Sequence, residues 1–361
     1  MRRRLLVIGG VWMLLHAYMG ARLLSHAALG PGSLTLAWGA LLLLALGPFA
    51  AFFALREGDS PLGAALQWTG FTALGLSSIL LVLVVAADVL RVRAWGFEPH
   101  AVSVGILAGA LMLTGAGAWG ARRPRVVRVT VPIAGLPRDL DGFRIVQISD
   151  LHVGPTIGRR FVQAVVDTAN ALDPDVLAFT GDVADGLVPQ LRDDVAPLAD
   201  LRARYGKFFV SGNHEYYWDA PGWLGELERL GFSVLTNAHR LLRRGAGRLL
   251  LAGVTDRGSD PVAALAGAPE SDVKVLLAHQ PSRAFAARAA GFDLQLSGHT
   301  HGGQYFPFSL LVRLFQPFVS GLHRLEAMWL YVSRGTGYWG PPLRLGAPSE
   351  ITLIELQPAA R

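Results

Sequence analysis

The sequence predicts a two-part chain in which N-terminal transmembrane helices precede an α/β domain. The chain of 361 residues is 52% hydrophobic and only 17% charged, whereas soluble proteins carry about 25% charged residues. The charges are also unevenly distributed, since residues 1–120 hold 11 of them and residues 121–361 hold 49. After Arg128, short apolar runs alternate with helical stretches, which is the pattern of an α/β fold.

Four apolar stretches in the first third of the chain are long enough to cross a bilayer, which takes about 20 residues. Residues 33–55, 64–87 and 101–121 contain no Asp, Glu, Lys or Arg. The stretch 5–29 is interrupted by Arg22 and has the basic start of a signal peptide, but three further spans favour a retained first helix. We therefore predict a membrane domain with about four transmembrane helices at residues 1–121.

The arginines that flank these stretches predict the topology. If the amino terminus is inside, the cytoplasmic set is Arg2, Arg3, Arg4, Arg56, Arg122, Arg123, Arg125 and Arg128, against Arg91 and Arg93 outside. Because cations concentrate on the cytoplasmic side, we expect a multi-pass protein of the inner or cell membrane whose C-terminal domain faces the cytoplasm. Residues 122–137 are predicted to be a basic juxtamembrane linker that meets anionic lipid headgroups.

Three ionisable residues lie inside the apolar stretches or directly beside one. His16, His26 and Asp88 are placed near the predicted helix ends, with no evident partner. Buried ionisable groups are often functional in membranes, but this placement favours a structural interpretation.

The composition excludes several classes of site. The chain has no cysteine, which excludes disulfides, thiolate zinc sites and a cysteine nucleophile. Its net charge of +6 does not predict nucleic-acid binding, because no dense Lys/Arg stripe is interleaved with aromatic residues. The sequence makes no prediction of oligomeric state.

Polar residues follow each of five predicted strands in the second part. The runs FRIVQIS, DVLAF, KFFV, VKVLLA and DLQLS lead into Asp150, Asp182, Asn213, His279 and His299. Helical candidates at residues 159–172, 190–204, 222–230 and 282–290 would supply the covering layers. Since ligands bind beyond the carboxyl ends of strands in open sheets, we expect these polar residues to converge on one site.

The converging residues form a set of potential metal ligands. Asp150 and His152 are two positions apart, so their side chains point the same way at an extended strand end, and His299 and His301 repeat that spacing. Mixed imidazole and carboxylate ligation suits Mn, Fe or Zn. The predicted ligands are Asp150, His152, Asp182, Asn213, His279, His299 and His301. Seven ligands exceed what one ion takes while keeping an open position, so we predict two divalent metal ions bridged by Asp182.

A two-metal site suits displacement at phosphorus. Two cations about 3.5–4 Å apart lower the pKa of a shared water and clamp the attacking and leaving oxygens. Gly181, Gly212 and Gly298 directly precede predicted ligands. There they would permit tight turns and a close approach of the backbone.

Five segments, in this order, resemble the signature of the calcineurin-like metallophosphoesterases. They are SDLHVG, TGDVAD, SGNHEYYW, LAHQP and SGHTHGGQ, and the resemblance covers about residues 138–356. SDLHVGPTIGR, SGHTHGGQ and the tail YVSRGTGYWGPPLRLGAPSEITLIEL are similar to the membrane-anchored branch of that family. This branch includes, or lies close to, bacterial enzymes that cleave UDP-2,3-diacylglucosamine in lipid A assembly. The resemblance implies a four-layer αββα metallophosphoesterase sandwich at residues 138–361.

The resemblance also implies roles for individual residues. The first metal would be held by Asp150, His152, Asp182 and His301, and the second by Asp182, Asn213, His279 and His299. His214 would be catalytic, because it lies beside the scissile phosphate in the family and can donate to the phosphoryl or leaving oxygen.

The function implied is that of a membrane-bound phosphodiesterase or pyrophosphatase. Its substrate would be a lipid-linked or nucleotide-linked phosphate such as UDP-2,3-diacylglucosamine, with membrane lipid as its partner. Two alternatives stay open. One is a broad-specificity or cell-wall phosphodiesterase, and the other is a non-catalytic metal-binding membrane scaffold.

Other features have two interpretations each. Glu215 either orients His214 or caps a helix, and Arg334 and Arg344 either bind phosphate or form surface salt bridges. Residues 305–325, which are rich in Phe and Leu and follow the last ligand, either dip into the membrane beside the site or cover a sheet edge.

Overall fold

The computed structural model describes residues 2–25, 27, 29–55 and 60–359, with side chains from Leu6 onward except that of Arg93. The chain divides into two compact units. The first unit is Met1–Trp119 with Gly340–Leu345, and the second is Gly120–Trp339 with Gly346–Arg361. The predicted residues His26 and Arg56 lie outside the described residues, as do the side chains of Arg2, Arg3, Arg4 and Arg93.

Long apolar helices build the first unit. They are α1 (Arg2–Leu24), α2 (Pro31–Ala54), α3 (Pro61–Val89) and α4 (Pro99–Ala121). All four are long and apolar enough to cross a membrane, which confirms the four predicted stretches within the described part of the chain. Proline begins each of the last three helices, where its missing N–H leaves no helical hydrogen bond unmade.

Polar side chains inside the first unit have partners, contrary to the expectation from the sequence. Nε2 of buried His16 lies 3.0 Å from Oγ of Ser77. Asp88 accepts hydrogen bonds from the hydroxyl of Tyr18, at 2.6 Å, and from Arg22. The partners come from α1 and α3, which pack together although they are far apart in sequence. Such pairing offsets the cost of placing polar groups among apolar helices.

The second unit contains two mixed β-sheets. Its described strands are β1 (Arg125–Ile133), β2 (Phe143–Ile148), β3 (Val176–Phe179), β4 (Lys207–Phe209), β5 (Ser233–Val234), β6 (Ala238–Arg244), β7 (Gly247–Gly253), β8 (Val273–Leu277), β9 (Leu294–Ser297), β10 (Gly321–Leu325), β11 (Met328–Val332) and β12 (Glu350–Pro358). The first sheet has the order β1-β12-β2-β3-β4-β5, and the second has the order β10-β11-β9-β8-β7-β6. The central strands β2, β3 and β4 are parallel, as are β7, β8, β9 and β11.

The five predicted strands are confirmed as β2, β3, β4, β8 and β9. They are almost wholly buried, which is why they read as continuous apolar runs. The predicted linker at residues 122–137 is wrong in part, because it contains β1, paired in parallel with β12. Val127, Val129 and Val131, which are partly or fully buried and alternate with exposed residues, are a strand signal. The clustered arginines obscured that signal.

Helices cover the outer face of each sheet. They are α5 (Arg159–Ala171), α6 (Val188–Val195) and α8 (Ala220–Arg229) on the first sheet and α9 (Ala284–Ala289) on the second. The unit also contains α7 (Asn213–Trp218) and the short α10 (Phe308–Leu311). The helix predicted at residues 190–204 ends early, because Pro197 follows and a 3₁₀ segment, Ala196–Asp200, replaces the α-helix.

Apolar packing confirms the four-layer αββα sandwich. On the outer face of the first sheet, Val166 of α5 and Leu227 of α8 share a cluster with Phe179. Between the sheets, Phe143 and Ile145 of β2 share a second cluster with Leu249, Val275 and other residues of the second sheet. Beyond the second sheet, Ala284 and Ala287 of α9 pack in a third cluster with Leu276 and Leu330.

The carboxyl ends of the central strands meet at one edge of the sandwich. The two sheets are joined there by hydrogen bonds, since the backbone N–H of His299 donates to Asp150 at 2.9 Å. The side-chain amide of Gln147 likewise donates to the carbonyl oxygen of Ser297 at 3.0 Å. The loops that follow β2, β3, β4, β8 and β9 are therefore held together, as the sequence predicts for strands of this kind.

Candidate metal centre

The predicted ligands lie in the first turns after the central strands, in an unusual backbone conformation. Positive φ angles, between 51° and 73°, occur at Asp150, His152, Asp182, His299 and His301. Non-glycine residues adopt this left-handed region at a cost of about 1–3 kcal/mol each, and such strain concentrates at functional sites. Backbone hydrogen bonds hold two of these turns, because the N–H groups of Asp150 and His152 donate to the carbonyls of Gly181 and Asp182 at 3.0 and 3.1 Å.

One group of ligand atoms is formed by Asp150, His152 and His301. The Nε2 atoms of His152 and His301 are 3.0 Å apart, and Nε2 of His301 lies 3.5 Å from Oδ1 of Asp150. These side chains are buried or nearly so, and they come from loops after β2 and β9.

A second group is formed by Asp182, His279 and His299, and Asn213 completes it. Nε2 of His279 is 3.2 Å from Oδ2 of Asp182 and 3.1 Å from Oδ1 of Asn213. Nδ1 of His299 is 2.9 Å from the same Asn213 oxygen.

Asp182 lies between the two groups. Its Oδ2 atom is 3.7 Å from Nε2 of His152 in the first group and 3.2 Å from Nε2 of His279 in the second. The structure thus brings all seven predicted ligand side chains together, divided as the resemblance implies. That they bind metal remains a prediction.

The donor chemistry of this centre fits a cation. Nδ1 of His279 lies 2.8 Å from the carbonyl oxygen of Thr180, so Nδ1 carries the hydrogen of that bond. In the neutral ring, Nε2 then directs a lone pair towards the oxygens of Asp182 and Asn213, which are also acceptors. Acceptors that face one another at about 3 Å repel unless a positive charge lies among them. Divalent metal ions that accept mixed N and O ligands suit such a set.

The pKa values of the buried groups also indicate that this centre stabilises a positive charge. Burial lowers the pKa of His279, but the negative charges of Asp182 and Asp150 outweigh it and raise the pKa to about 10. Burial and the neighbouring His279 lower the pKa of His299 to about 4. The Asp182 carboxyl keeps a pKa well below its usual range despite burial, because three histidines surround it. A proton on His279 and a metal ion therefore compete for one place.

Asp185, which the sequence reasoning did not assign, contacts two of the imidazole rings. Its Oδ1 is 2.5 Å from Nδ1 of His214, and its Oδ2 is 3.2 Å from Nδ1 of His152. A carboxylate behind a metal-binding imidazole fixes the ring orientation and the tautomer, which leaves Nε2 facing the site. The three residues also form a group with the spacing of metal ligands. The sequence signal that could have identified Asp185 is its place as the second Asp of TGDVAD, three residues after the predicted bridging ligand.

His214, the predicted catalytic residue, lies at the rim of the centre. Its Nε2 is 4.0 Å from Oδ2 of Asp182, and its ring is 5.0 Å from the ring of Tyr217 and 5.7 Å from that of Trp339. Burial lowers the pKa of His214, but the charges of Asp185 and Asp182 raise it to about 9. A ring that carries a proton on Nε2 can donate to a phosphoryl or leaving oxygen.

Glu215 caps a helix and also joins two ligand loops. Its fully buried carboxylate accepts from the backbone N–H groups of Gly212 at 2.6 Å, Val183 at 2.7 Å and Asp182 at 3.1 Å. Burial and the charge of Asp182 raise its pKa to about 7. Of the two interpretations left open for Glu215, the structure supports the helix cap.

Two glycines permit the close approach expected from the sequence. A Cβ atom on Gly298 would lie 1.9 Å from Oγ of Ser149 and 2.1 Å from Oδ2 of Asp150. A Cβ atom on Gly212 would lie 2.1 Å from Oδ1 of Asp182. Any larger residue at these positions would displace a predicted ligand.

The two arginines considered for phosphate binding make other contacts. Arg334 donates to buried Glu350 at 2.9 Å. Arg344 is buried within the first unit, where its backbone N–H donates to the carbonyl oxygen of Gly117. Phosphate binding by either side chain stays a prediction.

Comparisons with known proteins agree with this geometry. The profile of the family described as calcineurin-like phosphoesterase matches residues 143–303, a range that contains every predicted ligand. A transmembrane protein with metallophosphoesterase domain from Danio rerio is 41% identical over 256 residues, which cover 66% of this chain and 59% of the relative. The chain thus spans less than two thirds of that relative's length.

A second relative is matched over nearly its whole length. An uncharacterized metallophosphoesterase from Aquifex aeolicus is 32% identical over 244 residues, which cover 64% of this chain and 92% of the relative. Among solved structures, the Haemophilus influenzae NAD nucleotidase aligns at 16% identity with a TM-score of 0.39, over 55% of this chain and 45% of that one.

Proposed function

This chain belongs to the calcineurin-like metallophosphoesterase family; from that premise we propose that it is a metal-dependent hydrolase that cleaves a phosphodiester or pyrophosphate bond with two divalent cations. The observation that carries the proposal is the position of the Asp182 carboxylate. It lies within 3.7 Å of Nε2 of His152 on one side and within 3.2 Å of Nε2 of His279 on the other. Two ligand groups that share one carboxylate are the arrangement of a dinuclear centre.

The chemistry divides between the metals and the chain. When bound, two cations supply Lewis-acid polarisation of the phosphoryl oxygens and an acidified water. Asp185 keeps the ring of His214 in place, and protonated His214 donates to the leaving oxygen. Because the donor set mixes imidazole and carboxylate, we propose Mn, Fe or Zn rather than Mg or Ca.

Two variants test the assignment together. Asp182→Ala removes the shared carboxylate, so we expect the purified protein to lose both metals and its phosphodiesterase activity. His214 is not one of the seven predicted ligands, so we expect His214→Ala to retain metal while turnover falls by about 10²–10⁴-fold. Metal content measured by elemental analysis, together with the rate on an aryl phosphodiester, separates the two. Normal turnover by either variant contradicts the proposal.

The substrate is proposed to be a lipid-linked or nucleotide-linked phosphate, with UDP-2,3-diacylglucosamine as the specific candidate. The similarity of SDLHVGPTIGR and SGHTHGGQ to the membrane-anchored branch supports this candidate. Its test is Mn-dependent release of UMP by the detergent-purified protein, with Asp182→Ala and an aryl phosphodiester as controls. Cleavage of the aryl diester alone would favour a broad-specificity or cell-wall phosphodiesterase. Absence of both activities with metal bound would favour a non-catalytic scaffold.

The membrane topology is also proposed. The four apolar helices support a multi-pass protein, and the arginine distribution supports a cytoplasmic catalytic unit. Because the chain lacks cysteine, a single Glu270→Cys substitution at a side chain that is 91% exposed reports on the location of the second unit. A membrane-impermeant maleimide should label it only after the cells are lysed. Labelling of intact cells would place the unit outside.

A further inference from the structure

Large apolar side chains are exposed in one short stretch of the second unit. Among its described residues, twelve large hydrophobic side chains are exposed, and six of them fall within residues 306–315. They are Phe306, Phe308, Leu310, Leu311, Leu314 and Phe315. We call residues 306–315 the apolar segment. Exposed patches of this kind mark surfaces that bind a partner or a membrane.

The structure separates this segment from the residues that cover the second sheet. Phe318 and Leu325, which follow it, pack against the apolar cluster outside that sheet. Leu314 and Phe315, by contrast, are 74% and 81% exposed. The two interpretations of residues 305–325 therefore apply to different parts, since the later part covers the sheet and the apolar segment does not.

The apolar segment is attached firmly to the metal centre. It begins five residues after the predicted ligand His301, and a Cβ atom on Gly303 would lie 2.3 Å from the Cα of Ser309. Buried Tyr305, just before the segment, forms a β-bridge with Gly346 and places its ring 5.1 Å from that of Phe308. The exposed side chains are thus held next to the turn that carries His301.

Further contacts link this region to the rim of His214. Both amide atoms of the Gln304 side chain bond to the backbone of Trp339, each at 3.0 Å. The ring centroid of Trp339 lies 5.7 Å from that of His214, and the ring centroid of Tyr217 lies 5.0 Å from that of His214. Trp339 and Tyr217 are themselves exposed. Aromatic groups with one polar end are common where an apolar phase meets water.

The charge of the segment is suited to anionic lipid. Arg313, which is exposed, is its one formally charged residue. Cations among exposed Phe and Leu are typical of segments that lie in the headgroup region of a bilayer. The chain itself also carries four helices that are apolar enough to span a membrane, and only residues 122–124 separate α4 from β1. A lipid surface is therefore the partner that best suits the apolar segment.

We propose that the apolar segment inserts into the lipid surface beside the metal centre, so that the substrate is an amphipathic phosphate whose acyl chains stay in the bilayer during cleavage. The statement about the substrate rests on the proposed function, whereas the statement about insertion does not. In this arrangement the apolar segment holds the site at the depth of the headgroup phosphates, and the exposed Trp339 and Tyr217 flank the path to His214.

The absence of cysteine permits a direct test of insertion. Leu314→Cys and Phe315→Cys each receive an environment-sensitive maleimide fluorophore, and the full-length protein is reconstituted into phosphatidylcholine–phosphatidylglycerol vesicles with or without brominated acyl chains. We expect brominated lipid to quench both labels and the emission to shift to shorter wavelength. Glu270→Cys, at an exposed polar position of the same unit, serves as the control that should not be quenched.

Two outcomes would overturn insertion. Labels at 314 and 315 that respond like the label at 270 would show that the apolar segment faces water. A blue-shifted emission that brominated lipid leaves unquenched would show that it faces protein, such as a second copy of the chain. Quenching does not require turnover. If a protein that cleaves no phosphodiester still showed quenching, the result would support insertion and would reject only the proposed function.

The statement about the substrate has its own test. In the double variant Leu314→Ser/Phe315→Ser we expect the ratio of turnover on a vesicle-borne phosphodiester to turnover on a water-soluble aryl diester to fall by about tenfold, since two large apolar groups no longer enter the bilayer. Val262→Ser, at a side chain that is 68% exposed outside the segment, is the matched control and should keep the wild-type ratio. An unchanged ratio in the double variant would contradict the proposal.

Discussion

Asp185 contacts two imidazole rings that have different predicted roles. Each of its carboxylate oxygens accepts from one Nδ1–H group, that of His214 at 2.5 Å and that of His152 at 3.2 Å. His152 belongs to a predicted ligand group, whereas His214 is the predicted catalytic residue. One carboxylate thus contacts both a predicted metal ligand and the predicted proton donor.

Replacement of Asp185 should reduce activity more than it disturbs the fold. In Asp185→Asn, the amide has one acceptor oxygen in place of two, so one of the rings loses its partner and its orientation. We expect turnover on an aryl diester to fall by about 10–100-fold while the protein keeps most of its metal. Asp193→Asn, at an exposed carboxylate, is the matched control. Equal rates for the two variants would show that Asp185 does not position His214.

Glu215 makes a different contribution, which is to stability. Its carboxylate accepts from the backbone N–H groups of Asp182, Val183 and Gly212. In Glu215→Gln one oxygen becomes an NH₂ group that faces a donor, so at least one buried N–H loses its acceptor. We expect the second unit to lose about 1–3 kcal/mol of unfolding free energy. Denaturant unfolding of the variant, compared with exposed Glu228→Gln, measures this. Identical unfolding midpoints for the two variants would show that the hydrogen bonds of the Glu215 carboxylate do not stabilise the unit.

For individual residues, the sequence pattern predicts that the ligands gather at one site, but it does not predict that Asp185 joins them. Asp150, His279 and His299 each follow an apolar strand directly, so their position in the chain already predicts where they gather. Asp185 lies three residues beyond Asp182 in a loop, where an aspartate is usual for local reasons. Only the folded loop, in which Asp185 reaches both His152 and His214, distinguishes it from a turn residue.

Among the elements, the turns after the strands determine how closely the two sheets approach each other. Gly298 follows β9, and its Cα passes so near Asp150, which follows β2, that a methyl group cannot fit between them. Because the N–H of the next residue, His299, also donates to Asp150, this turn joins the sheets and aims the carboxylate. A glycine is needed at this position because of its neighbours rather than its own φ angle.

Gly298→Ala should therefore impair metal binding. The added Cβ would lie 2.1 Å from Oδ2 of Asp150 and must displace either that carboxylate or the turn. We expect loss of metal from the first ligand group and a lowered melting temperature. Gly225→Ala in α8, where a Cβ meets nothing within 4 Å, is the control and should be neutral or slightly stabilising. A Gly298→Ala protein with full metal content would contradict this account.

The central strands were predictable and the peripheral ones were not. Strands β2, β3, β8 and β9 are buried on both faces and therefore read as unbroken apolar runs. Strand β5 has two residues, and β10 is only partly buried, so neither leaves a distinct pattern. Their pairing depends on neighbours that are distant in sequence, which a local pattern does not contain.

For the whole molecule, metal binding should be coupled to the stability of the second unit. The ligands come from both sheets, so cations that bind the folded centre stabilise the folded sandwich by mass action. At a metal concentration one hundred times the dissociation constant this contributes about 2.7 kcal/mol. We expect a chelator to lower the melting temperature of wild type and of His214→Ala, but to leave Asp182→Ala almost unchanged. Equal melting of the wild type with and without chelator would show that the centre does not bind metal in the folded state.

The parallel pair of β1 and β12 has a consequence for the order of events during synthesis. Residue 125 pairs with residue 350, so the first strand of the sandwich leaves the ribosome more than 200 residues before its partner. At 5–20 residues per second the delay is roughly 10–45 seconds. During that interval β1 lacks its partner β12, and Arg125 and Arg128 are exposed residues of this strand. Charged side chains on an open strand edge discourage pairing with the wrong chain. The same arginines that obscure β1 in the sequence thus protect the nascent polypeptide until β12 arrives.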